Sequence, residues 1–209
     1  KEVILLNTIT LLAGKAGSGK TLLACQIALE KLFMRECDKI IITRPTVSKE
    51  EIGFLPGDLR EKMDPWVQPI YQNMYALYDK VKIEKLISDG VIEIVPVSFM
   101  RGRTFLDSVV IVDEAQNVTH EQMQMIVTRI GLRSKMIVCG DDHQVDLKSK
   151  RDSGFRFLYT AARKIKNMVG ISLVTNHRDP IVEDLINLYD EAEENGLDLG
   201  TSGSSNKRK

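Results

Sequence analysis

No apolar run in this 209-residue chain approaches the roughly 20 residues that a membrane-spanning helix needs. The nearest candidate, Ile4 to Ala13, is too short and runs into glycine-rich sequence, so no membrane partner is expected and a soluble, cytoplasmic protein is. Cysteine is scarce: Cys25, Cys37 and Cys139 are odd in number and form no close pair. A disulfide framework or a CxxC metal site is thereby unsupported, and the three read as small apolar packing residues. Net charge is also lacking, with 29 basic residues against 29 acidic ones. That balance argues against coating duplex nucleic acid by bulk attraction, so a nucleic-acid partner would have to be held by a local patch. What is present, 43% apolar and 28% charged residues, is the composition of one globular domain with a sizeable core.

Short β-branched runs recur at Thr8–Ala13, Lys39–Thr43, Val91–Val95, Val109–Val112, Met136–Cys139 and Ile171–Val174, and read as buried parallel strands. Helical spacing lies between and after them, at Lys20–Met34, Trp66–Val81, Thr119–Ile130, Gly154–Ile165 and Ile181–Asn195. Such alternation predicts an α/β fold, a mostly parallel sheet flanked by helices. Pro56-Gly57, Asp64-Pro65 and Asp89-Gly90 punctuate the middle, so residues 48–90 read as an insertion of short helices. One domain is expected over 1–195. Residues 196–209, glycine- and serine-rich before Asn206-Lys207-Arg208-Lys209, have the composition of a flexible basic tail.

Gly14-Lys15-Ala16-Gly17-Ser18-Gly19-Lys20-Thr21 matches GxxxxGK[ST] at every fixed position, between a predicted strand and a predicted helix. Glycines let the backbone curl into a nest of N–H donors around a β-phosphate, and the following helix adds its positive end. Lys20 is then placed to reach β- and γ-phosphates, and the Thr21 hydroxyl to ligate Mg2+.

A phosphate loop alone does not separate a kinase from a GTPase or a motor. Val109 to Val112 is an apolar strand that delivers Asp113 and Glu114 to the carboxyl edge of the sheet, where open α/β folds bind nucleotides. Asp113 is expected to hold Mg2+ through water. Glu114 is expected to act as general base on the attacking water, a group that mere binding does not require. Another strand ends in Gly140-Asp141-Asp142-His143-Gln144, making Gln144 the candidate γ-phosphate sensor. Asp141, Asp142 and Asp146 serve equally well as turn formers, and His120, His143 and His177 read as ordinary surface or loop residues. No NKxD guanine-reading motif is present, which favours ATP.

Together with Ile42-Thr43-Arg44-Pro45, Ile52 to Leu59 and Phe99 to Thr104, these motifs resemble the PhoH-like family, in order from about Leu12 to Asn187. The resemblance implies an ATPase with a single RecA-like P-loop domain related to superfamily 1 helicases, and a link to RNA. It implies ATP hydrolysis more directly than unwinding. In Asn176-His177-Arg178-Asp179-Pro180, Arg178 is the implied γ-phosphate sensor, although Asp179 stands where the family more often has histidine or serine. Helicase-like relatives place an adenine-contacting glutamine ahead of the first strand, so adenine contacts are expected upstream of Lys1.

A single RecA-like domain offers few ways to supply the cation that neutralises charge developing on the γ-phosphate. A neighbouring subunit could supply it, through Arg101, Arg103, Arg129 or Arg178. A homo-oligomeric ring is therefore expected, a hexamer by resemblance. Each of those arginines serves equally well in a structural ion pair. Residues 148–166 carry seven cations against the single acid Asp152, a density that could track a single-stranded RNA backbone or form a solvated helix face. On that helix Phe155 and Leu158 are expected to face the core. Two functions stay open: an ATPase that remodels or unwinds RNA, and an ATPase switch that controls assembly with a protein partner.

Overall fold

β-branched residues dominate the strands because the pleated, two-sided burial of a parallel sheet suits them. The computed structural model describes residues 1–45, 59–177 and 179–194, and side chains outside 59–66 and a few positions of the last helix. It divides into two units, Lys1–Val174 and Thr175–Lys209.

In the first unit, helix α1 (Glu2–Leu6) precedes strand β1 (Ile9–Ala13), followed by α2 (Lys20–Phe33), β2 (Lys39–Thr43), α3 (Leu59–Leu77), α4 (Lys80–Ser88) and β3 (Ile92–Ile94). Then come β4 (Ser108–Val112), α5 (His120–Val127), β5 (Lys135–Gly140), α6 (Gly154–Ala161) and β6 (Met168–Ser172). The six strands form one all-parallel sheet in the order β3-β2-β4-β5-β1-β6. Side-chain alternation splits the core in two. Leu12, Ile40, Ile42, Ile111, Ile137 and Cys139 pack on one face with α2, α3 and α4. Leu11, Ile41, Val110, Val112 and Val138 pack on the other with residues of α5 and α6. All five residues of β4 are buried, so that strand is held from both sides.

Two expectations change. α3 passes through Pro65, where Asp64-Pro65 had suggested a break, and on through Pro69, which already lay inside the expected helix. Val67, Ile70, Tyr71 and Met74 are all buried at i, i+3, i+4 and i+7, and α3 packs on α2. Burying that stripe, at roughly 1.5–3 kcal/mol for each large apolar side chain, outweighs the helix bonds the prolines remove. Residues 46–58, including most of the Ile52–Leu59 motif, lie outside the described residues. The last strand starts at Met168, three residues before the expected Ile171, because β1 sets its register by pairing Ile9 with Met168. Asn167, left-handed at φ 62°, turns the chain into that pairing and accepts the N–H of Thr8 at 2.8 Å.

The second unit contributes α7 (Pro180–Glu194). Its start is built from Pro180, whose missing N–H costs nothing in a first turn, and Asp179, whose Oδ1 accepts the N–H of Ile181 at 3.1 Å. Asp179, unusual for the position by resemblance, thus has a capping role. Residues 195–209, where the basic tail was expected, lie outside the described residues.

Candidate nucleotide site

β1 ends at Ala13, and the chain wraps through Gly14–Gly19 into α2. The N–H of Gly14 bonds the carbonyl of Gly140 at the end of β5 (3.3 Å), anchoring the loop to the sheet edge. Gly17 and Gly19 are left-handed, at φ 83° and 79°, conformations that a side chain would strain. The Lys20 ammonium lies inside the curl, donating to the carbonyls of Gly14 (2.6 Å) and Lys15 (2.9 Å). α2 runs 14 residues and points its positive end into the same loop. Gly14, Lys15, Ala16, Gly17, Ser18, Gly19, Lys20 and Thr21 therefore form one continuous cradle.

β4 delivers the acids. Asp113 is 4% exposed, and its Oδ1 accepts the Thr21 hydroxyl at 2.8 Å. Burial raises the Asp113 carboxyl above the usual range, with the Glu114 charge adding to the effect and the Thr21 bond opposing it. Glu114 is left-handed (φ 50°, ψ 39°), a conformation costing a non-glycine residue about 1–2 kcal/mol. The sharp turn it makes leads directly into the short 3-10 turn Ala115–Asn117. Its Oε1 lies 3.4 Å from Nη2 of Arg44, the residue after β2, and its Oε2 accepts Nε2 of Gln116 at 2.7 Å.

β5 lies between β1 and β4, so its exit opens between cradle and acids. Asp141 is buried there. Its backbone N–H donates to Gln116 Oε1 (3.0 Å) and its Oδ1 accepts the N–H of His143 (3.0 Å), making it a turn former. Asn117 and Asp146 exchange two further bonds, at 2.8 and 2.7 Å. Gln144 belongs to this turn through its backbone, but its side chain is exposed.

The arginines are scattered. Arg101 is exposed. Arg103 bonds Glu93 at 2.8 Å and lies over the Phe105 ring, a structural role. The Arg129 carbonyl bonds the Phe105 N–H ahead of β4, at the strand end opposite Asp113, and its Nη2 donates to Thr128. Arg178 lies outside the described residues. Two partners of Glu114, Arg44 and Gln116, were not assigned a role there from sequence. The available signal was a glutamine two residues after an acidic pair, within a buried turn.

Thr21 and Asp113 offer two hard oxygens side by side. That set suits Mg2+, which takes most of its ligands from phosphates and water rather than from a protein cage. Among the described residues no cluster of three or more His, Cys, Asp or Glu is placed to hold a metal by itself.

A parallel sheet whose first strand runs through a glycine-rich loop into a helix, with an Asp-Glu pair two strands away, defines a P-loop protein with an α/β core. The sequence matches the PhoH-like protein family over residues 1–190, and the chain belongs to that family. It is 41% identical over 192 residues to a PhoH-like protein of Synechocystis, covering 90% of this chain and 58% of that protein. A PhoH-like protein of Bacillus subtilis is 43% identical over 191 residues, covering 88% and 59%. The chain thus spans somewhat under two thirds of these relatives. Among solved structures, the Pif1 helicase of Candida albicans overlays with a TM-score of 0.46 at 15% identity, covering 91% of this chain and 41% of that one. No described helix is long and apolar enough to cross a membrane.

Proposed function

We propose that this chain binds ATP with Mg2+ and hydrolyses it, and that hydrolysis is coupled to remodelling of single-stranded RNA. The observation that carries the hydrolytic reading is the placement of Glu114 beside the buried Thr21–Asp113 pair. Backbone N–H groups of Gly14–Thr21 hold the phosphates, and Lys20 exchanges its bonds to loop carbonyls for phosphate oxygens. Thr21 and Asp113 hold Mg2+, which supplies charge neutralisation on the phosphates. A Glu114 carboxylate oxygen accepts a proton from water as the water oxygen bonds to the γ-phosphorus and the bond from that phosphorus to the β–γ bridging oxygen breaks. Gln144 and Arg178 are proposed to sense the γ-phosphate.

The test is turnover of the intact chain and of Glu114→Gln, with and without single-stranded RNA. Loss of turnover with retained ATP binding supports the base. Unchanged turnover removes it. Release of the γ-phosphate as inorganic phosphate excludes a kinase.

Support for RNA comes from the outward side of α6 and the segments around it. Arg156, Phe157, Arg163 and Lys164 are exposed, as are Lys148, Lys150, Arg151 and Lys166, while Phe155 and Leu158 are buried. Indifference of turnover to RNA favours the second reading, a switch for assembly with a protein partner. A ring, proposed as a hexamer, would supply a cation in trans. Light scattering with an ATP analogue and Mg2+ that finds only monomer rejects it.

A further inference from the structure

We propose that Gln116 positions Glu114 for proton abstraction by tying one carboxylate oxygen to the loop that follows β5, an inference that rests on Glu114 being the base. Gln116 is 1% exposed, in the turn between β4 and α5. A buried primary amide is costly unless its polar atoms are paired, and this one pairs on both sides. Its Nε2 donates to Glu114 Oε2 at 2.7 Å, and its Oε1 accepts the N–H of Asp141 at 3.0 Å. The partners dictate the orientation of the amide. A backbone N–H can only donate and a carboxylate accepts, so the oxygen must face Asp141 and the nitrogen Glu114.

The Glu114 backbone is set by its left-handed turn and by its carbonyl, which accepts the Asn117 N–H at 3.0 Å. What its side chain does then depends on its oxygens. Arg44 meets Oε1 at 3.4 Å, near the limit of a hydrogen bond, whereas the Gln116 contact is short. Gln116 is therefore the stronger determinant of where the carboxylate points. It occupies one acceptor position of Oε2 and leaves the others for water. Beyond Gln116, the Asp141 carbonyl accepts the N–H of Gln144 at 3.1 Å. One buried amide thus connects the proposed base to the segment bearing the proposed γ-phosphate sensor.

Two variants of similar size separate positioning from simple packing. Gln116→Glu keeps an acceptor for the Asp141 N–H but cannot donate to an ionised Glu114. Gln116→Leu loses both bonds. Single-turnover hydrolysis of saturating ATP with Mg2+, KM, affinity for a non-hydrolysable ATP analogue and thermal melting are measured for each, in the wild-type chain and with Glu114→Gln. In the wild-type background the hydrolysis rate is expected to fall about 10- to 100-fold, with KM and analogue affinity within about threefold. With Glu114→Gln already present, neither variant is expected to lower the residual rate further, because the group being positioned is gone. Undiminished turnover by folded Gln116→Glu overturns the proposal. So does an equal further loss in the Glu114→Gln background, or failure of both variants to fold, which assigns Gln116 to the architecture alone. Wild-type turnover by Glu114→Gln alone overturns the base and this inference with it.

Discussion

Thr21 and Asp113, 92 positions apart in the chain, share a 2.8 Å hydrogen bond that joins the first turn of α2 to the end of β4. The bond satisfies only part of what a buried carboxylate needs, and burial works against its charge. Asp113→Asn keeps the size and an acceptor for Thr21 while removing that charge. The nucleotide-free variant is expected to melt no lower than wild type, and by a few degrees higher if the gain is about 0.5–2 kcal/mol. Turnover dependent on Mg2+ should fall at least about 100-fold. A clearly lowered Tm would show that the carboxylate stabilises the resting fold.

The cysteines give a pH-dependent prediction. Cys25 is pushed up to about 12 by burial, with the Asp113 charge contributing, and burial raises Cys139 well above its usual value. The folded chain keeps these protons while the unfolded chain loses them near the ordinary thiol value of about 8.5. Their contribution to stability is therefore fully present below that value and is lost as pH rises toward the folded value of about 12. Urea midpoints measured at pH 8 and pH 10 should fall with pH, and fall less steeply in Cys25→Ala. At pH 8 all three thiols should react with a disulfide reagent only as the chain opens, since all three are buried. Instantaneous labelling of Cys25 in the native protein would contradict this.

The phosphate loop and the Asp113-Glu114 pair were legible because their chemistry demands fixed residue types at fixed spacing, between a strand and a helix or at a strand end. β4 was legible because burial on both faces leaves an unbroken apolar run. The start of α5 was legible within one residue, where Thr119 and Gln122 form a reciprocal capping box. What was illegible depends on partners distant in sequence. The α3 backbone extends back through Pro65 because its buried stripe has α2 to pack against, and β6 takes its bounds from β1. Gln116 gains its role only because the fold brings Asp141, 25 residues on, to its side-chain oxygen. No local pattern announces that contact.

Gly140 ends β5 directly beneath Phe155, and a Cβ built there would lie 2.7 Å from the ring. Phe155 is fully buried and has little room to retreat. Gly140→Ala should destabilise the fold by about 1–3 kcal/mol, seen as a lowered urea midpoint. Because the Gly140 carbonyl anchors Gly14, KM for ATP should rise as well. Adding Phe155→Leu should recover part of the stability lost by Gly140→Ala, an epistasis that independent sites would not show. Strict additivity would mean that the ring is not what the new methyl meets.

The cationic surface around α6 makes a prediction about salt rather than about affinity alone. Lys150, Arg151 and Arg156 are exposed, with the exposed Phe157 ring beside them, edge-on to His120 at 5.6 Å between centroids. If these cations follow an RNA backbone, each neutralised phosphate releases counterion. Alanine at any one of the three should then reduce the slope of log affinity against log salt by about 0.7 for a single strand. Phe157→Ala should weaken binding with the slope unchanged, since stacking on a base releases no ion. Lys82→Ala, an exposed position on α4, should change neither quantity. The measurement is fluorescence anisotropy of a labelled single-stranded oligonucleotide over a salt series. Slopes that respond equally to Lys82 and to Arg156 would mean that diffuse charge, rather than the α6 surface, holds the strand, and the surface assignment would fall.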